Sequence, residues 1–76
     1  MEQKKVLYPN ICAELSRAGL TAAMMADYMG ITRQAIYNKL GGKVCFRLKE
    51  MEQVKDFFIA KGCGTFTLDY LFTNGG

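Results

Sequence analysis

Apolar positions recur at spacings of three and four through most of this chain, and Gly19, Gly30, Gly41-Gly42 and Gly62 interrupt the pattern. Such spacing turns one side of a helix toward a core. A glycine just past the last periodic residue supplies the left-handed turn that ends the helix. The pattern predicts a first helix from about Pro9-Asn10, with proline in its first turn and Ile11, Cys12, Leu15 and Ala18 on its inner face. A second helix opens at Thr21, whose hydroxyl caps free amides, and covers residues 22–29. Its Met25, Ala26 and Met29 turn inward, and the cluster Met24, Met25 and Met29 reads as core filler. After Thr32, a second capping threonine, a third helix over residues 33–40 buries Ile36 and Leu40. The fourth spans about residues 48–61 on Met51, Val54 and Phe58, its stripe widened by Phe57, and a short fifth after Thr67 carries Leu68, Leu71 and Phe72. Between these two helices, in residues 62–67, Thr65-Phe66-Thr67 reads equally well as a short extended segment. The expectation is an all-α domain of five helices.

With 76 residues the chain has material for one core, which the pattern places at about residues 8–72. Half of the residues are hydrophobic and 22% are charged, the composition of a folded chain and not of a disordered one. The strongest late apolar run, Phe57-Phe58-Ile59-Ala60, falls far short of the ~20 residues that cross a bilayer, so a soluble, cytoplasmic protein is expected. Cys12, Cys45 and Cys63 are an odd number with no C-x-x-C pair, and there is no histidine to complete a zinc site. Reduced thiols follow, with no metal and no cofactor. Cys12 is expected in the core, with Cys45 and Cys63 more accessible.

Enzymatic chemistry finds little support in these residues. Gly41-Gly42-Lys43 lacks the rest of a phosphate-binding loop, and Cys45 has no basic partner to activate it, so no catalytic residue is assigned. Charge distribution is more informative than the net +3. Residues 28–49 hold Arg33, Lys39, Lys43, Arg47 and Lys49 and no acid, whereas the remainder carries five basic and seven acidic groups. A polyanion is drawn to one region of such a molecule, where each neutralised phosphate releases counterions. In the same region two short helices are joined by a glycine-containing turn, and small Ala26 lies four residues before Gly30. That arrangement describes a helix-turn-helix.

The run from Gly19-Leu20-Thr21 to Lys43, with Ala26, Gly30, Ile31-Thr32-Arg33 and Lys39-Leu40-Gly41-Gly42-Lys43, resembles the Xre/Cro-type helix-turn-helix of phage repressors. Tyr8-Pro9-Asn10-Ile11 and Leu68-Asp69-Tyr70-Leu71-Phe72 extend the resemblance over most of residues 8–72. It implies a five-helix, lambda-repressor-like fold, double-stranded DNA as ligand and transcriptional repression. It also implies that Arg33, Gln34, Tyr37 and Asn38 face base edges. Their chemistry suits that role: arginine bridges the O6 and N7 acceptors of guanine, and Gln34 and Asn38 each match the donor and acceptor of adenine. Thr32, Lys39, Lys43 and Arg47 are expected on phosphates, which position without specifying, and Lys4 and Lys5 are candidates for a loose arm. Two departures stand out. Ala22 occupies a position where many relatives carry a phosphate-touching glutamine, and Arg47 replaces the usual capping Ser or Thr of the fourth helix.

One reading helix covers about four base pairs, too few to single out an operator, so a symmetric dimer on two half-sites is expected. Phe57, Phe58, Phe66, Tyr70 and Phe72 are its candidate interface, because a small core does not obviously cover so many large groups. Association only on DNA is compatible with so small a patch. The competing reading is a protein-binding helix-turn-helix module, such as an antitoxin or a small inhibitor of host defence.

Overall fold

The computed structural model describes residues 8–73, and within them the chain forms five helices and no strand: α1 (Pro9–Ala18), α2 (Ala22–Met29), α3 (Arg33–Leu40), α4 (Leu48–Ala60) and α5 (Leu68–Leu71). Lys4 and Lys5 lie outside the described residues. Residues 63–67 form neither helix nor strand, and Thr67 at their end has extended backbone, with φ of −78° and ψ of 155°. No helix among the described residues is long and apolar enough to cross a membrane.

Three of the five starts are set by threonine. Thr21 Oγ1 accepts from the Met24 amide at 3.2 Å, Thr32 Oγ1 from Ala35 at 3.1 Å and Thr67 Oγ1 from Tyr70 at 3.1 Å. Each bond satisfies an amide that the helix leaves without an internal partner. The turn between α2 and α3 depends on Gly30, whose φ of 75° lies in the left-handed region. There the Gly30 amide reaches the Asp27 carbonyl at 3.2 Å and the Ile31 amide reaches the Ala26 carbonyl at 3.0 Å, so α2 ends at Met29 and only Gly30, Ile31 and Thr32 separate it from α3.

Helix α2 is central and packs on both α3 and α4, while α5 packs on α4 and α1. Met25, Ala26 and Met29 meet Ile36 and Leu40 on one side and Val54, Phe57 and Phe58 on the other; Ile11, Leu15, Phe46 and Leu71 complete the buried core. Phe57 and Phe58 are fully buried within the single chain, each contributing roughly 1.5–3 kcal/mol of transfer free energy. They are therefore core residues and not the dimer surface expected from sequence. Consecutive phenylalanines are both covered because α4 is flanked on two sides: the Tyr28 ring packs edge-on to Phe57 at 5.5 Å, and the Phe66 ring packs edge-on to Phe58 at 5.5 Å.

Phe72 is likewise drawn inward. With Tyr8 and Phe46 it forms a three-ring cluster at centroid separations of 5.0–5.5 Å, all edge-to-face, the arrangement that the ring quadrupoles favour. Phe66 is half-buried between Phe58 and a stacked Tyr70, so of the expected interface only Tyr70 remains an exposed group. Two further inward assignments are corrected. Met24 is exposed, standing on the outer face of α2, and Ala18 is exposed because α1 ends beside it, beyond the edge of the core. On α1 it is Glu14 that is buried, its carboxylate accepting from the Tyr70 hydroxyl at 2.6 Å.

The cysteines are all free. Cys12 is half-buried, and that burial raises its thiol pKa above the ordinary value; Cys63 is half-buried and Cys45 exposed.

Candidate nucleic-acid interface

Helix α3 presents two unlike faces because its apolar residues are spaced by four. Ile36 and Leu40 are buried against α2, and Arg33, Gln34 and Tyr37 are exposed on the outer side with Asn38 half-buried beside them. All four residues expected to face base edges thus share one helix surface. Two of them are linked: Gln34 Nε2 donates to Asn38 Oδ1 at 3.0 Å, one helical turn along. One lone pair of the Asn38 oxygen is thereby taken up within the helix, which ties the orientation of its amide to that of Gln34.

At the N-terminus of α3, Thr32 is exposed and serves as the cap. No acidic residue lies in this first turn, so no carboxylate there offsets the positive end of the helix dipole. At the other end the chain folds back on the helix. The Asn38 carbonyl accepts from the Lys43 amide at 2.9 Å and from the Val44 amide at 3.3 Å, which fixes the backbone that carries Lys43 beside the last turn of α3. Buried Phe46 anchors the loop from below. Lys43 and Arg47, both exposed, flank that anchor.

Lys39 does not join them. Its Nζ lies 3.2 Å from Glu50 Oε1, and its side chain is only 11% exposed, so it is turned toward α4 and held by an acid instead of being offered to solvent. The same Glu50 oxygen accepts from the Arg47 amide at 2.9 Å, and these bonds hold its carboxyl below the usual carboxylate range, the backbone bond being the larger cause. Glu50 thereby satisfies the amide of the cap residue itself, the half of a capping box that the N3 carboxylate makes, while no cap side chain bonds the first amides inside α4. It sits three residues after the Arg47 cap position, a spacing by which the role is readable from sequence. With Lys39 neutralised, the exposed basic groups of residues 28–49 are Arg33, Lys43, Arg47 and Lys49.

Two elements of this region were invisible to helical periodicity. Phe46 lies in the loop between α3 and α4, where no repeat predicts burial, and Glu50 is a polar residue outside the apolar stripe of α4. Among the described residues no group of three or more His, Cys, Asp or Glu side chains is placed to hold a metal ion. Compared with known proteins, the chain matches no family model, no curated protein and no solved structure.

Proposed function

We propose that this chain is a sequence-specific double-stranded DNA-binding protein with a lambda-repressor-like helix-turn-helix, a transcriptional regulator of the phage or mobile-element repressor type. The observation that carries the reading is the outer face of α3. Arg33, Gln34, Tyr37 and Asn38 form a polar surface with the donors and acceptors that base edges require, on a helix whose opposite side is locked into the core. An α-helix fits the major groove of B-form DNA, and the α2–α3 pair has the short glycine turn that such a helix needs beneath it. Lys43 and Arg47, presented beside the helix C-terminus with an acid-free first turn at its N-terminus, supply sequence-independent attraction to phosphates.

Two chains on two half-sites remain the proposed assembly, on the ground of information content. The surface for it is narrower than the sequence suggested. Of the large groups expected there, Tyr70 is exposed and Phe66 and Phe72 are half-buried, a small surface that favours association on DNA over a stable free dimer. Exposed Val44 and Leu48, beside the basic loop, favour a second reading in which the same face binds a protein. Selection from a randomised duplex pool separates the two: the proposal requires enrichment of one short motif, and a pool that emerges unenriched refutes it.

A further inference from the structure

The hydrogen bond between Gln34 and Asn38 divides labour between two side chains that otherwise look equivalent, and we propose that they read a single base pair as one unit. This inference rests on the DNA-binding reading. Gln34 gives one Nε2 hydrogen to Asn38 Oδ1 at 3.0 Å. It keeps its other Nε2 hydrogen and its Oε1, the pair that matches N7 and the N6 amino group of adenine. Asn38 has one of the two lone pairs of its Oδ1 engaged by this bond, so its amide is already oriented by Gln34 and is the less free of the two to turn toward a base. The backbone supports this asymmetry. Gln34 is exposed in the first turn of α3, whereas Asn38 is half-buried, and its own carbonyl is tied to the Lys43 and Val44 amides.

Gln34 is then the residue that touches the base, and Asn38 is a positioning residue that fixes which way the glutamine amide faces. A free glutamine samples several rotamers and both amide orientations. A glutamine held by a partner one turn away enters the groove with its donor and acceptor already in order, which lowers the ordering cost of contact. The consequence is that adenine preference at one base pair belongs to both residues, and that the two are not additive there.

The test takes the duplex enriched by the unmodified chain, together with the same duplex changed at each base pair in turn. Affinities are measured for the unmodified chain, Gln34→Ala, Asn38→Ala, the double variant and Asn38→Asp. Helical content by circular dichroism checks folding, which substitutions on this outer face should leave intact. Gln34→Ala should abolish preference at one base pair, a loss of roughly five- to a hundredfold in discrimination. Asn38→Ala should weaken preference at that same pair, and the double variant should discriminate there no worse than Gln34→Ala alone. Asn38→Asp keeps the acceptor oxygen and adds a negative charge, so it should bind every duplex more weakly while retaining the preference. Loss of preference at two different base pairs, with additive effects, would overturn the inference and leave the DNA-binding reading standing. An unmodified chain that enriches no duplex would overturn both.

Discussion

The Tyr70 hydroxyl donates a 2.6 Å hydrogen bond to Glu14 Oε2, joining residues 56 positions apart and tying the short C-terminal helix to the first. Glu14 is buried to 7% exposure, and Arg17 reaches the same oxygen at 3.5 Å from solvent. A second bond runs alongside, from Asn10 Nδ2 to the Tyr70 carbonyl at 2.7 Å. Helix α5 is only four residues long, so its place depends on these ties and on Leu71 and not on its own helical stability.

Removal of either tie should therefore loosen the C-terminal end. Asn10→Ala is expected to cost about 1 kcal/mol, the usual net worth of such a bond. Tyr70→Phe should lower the melting temperature and leave the buried Glu14 carboxylate with only Arg17. Denaturant unfolding of the two single variants and the double variant measures their coupling; fully additive losses would mean that the two bonds do not act on the same docked helix.

Gly30 and Gly41 offer a paired test of backbone strain. Gly30 has φ of 75° and open space where a Cβ would stand, so Gly30→Ala should cost about 1 kcal/mol through the left-handed conformation alone. Gly41 has an ordinary φ of −85°, but a Cβ there would meet the Tyr37 carbonyl oxygen at 3.2 Å. Gly41→Ala is expected to be the milder change, relieved by a shift of a few tenths of an ångström. Thermal melts of both variants check the order, and a neutral Gly30→Ala would argue against the α2–α3 turn.

Acid should expose the role of Glu50. Its carboxyl is held below the ordinary value by the Arg47 amide and by Lys39. Proton uptake is consequently easier in the unfolded chain than in the folded one. The stability contributed by this group is fully present above the unfolded carboxylate pKa and is lost as pH falls through the lowered folded value. Glu50→Gln should remove that part of the pH dependence, which lies below the ordinary glutamate pKa, while lowering stability near neutrality. An unchanged acid limb in urea unfolding would contradict the assignment.

The thiols should react in a fixed order. Cys45 is exposed, whereas Cys12 is half-buried with its pKa raised, so alkylation at neutral pH should modify Cys45 first and Cys12 last. Peptide mapping at partial modification reports the order. Earlier labelling of Cys12 would mean that α1 opens more readily than its packing indicates.

Much of this architecture was legible in the sequence. The threonine caps at 21, 32 and 67 and the glycine after α2 mark helix limits by local chemistry, and local chemistry is what a sequence displays directly. The outer face of α3 followed from the spacing of Ile36 and Leu40. Periodicity failed where burial is decided by distant partners. It places Ala18 on the same face as Ile11 but does not show that the core ends before it, and it gives no hint that Glu14 acquires a tyrosine from the far end of the chain. It also marks Lys39 as a flanking cation without revealing that Glu50 stands opposite. Phe57, Phe58 and Phe72 seemed too many for so small a core because Phe46 and Tyr8, which enclose part of that set, belong to no helical stripe.

Titration of the purified chain with random-sequence duplex at about 50 and 200 mM salt asks whether the basic face around α3 binds DNA. Each phosphate contacted contributes roughly −0.9 to the slope of log affinity against log salt. With Arg33 on α3 and Lys43 and Arg47 after it as exposed cations, binding should be measurable at low salt with a slope of about −2 to −3 per chain, flattened by roughly one unit in Lys43→Ala. Absence of binding at low salt, or an affinity indifferent to salt, would contradict DNA binding by this face.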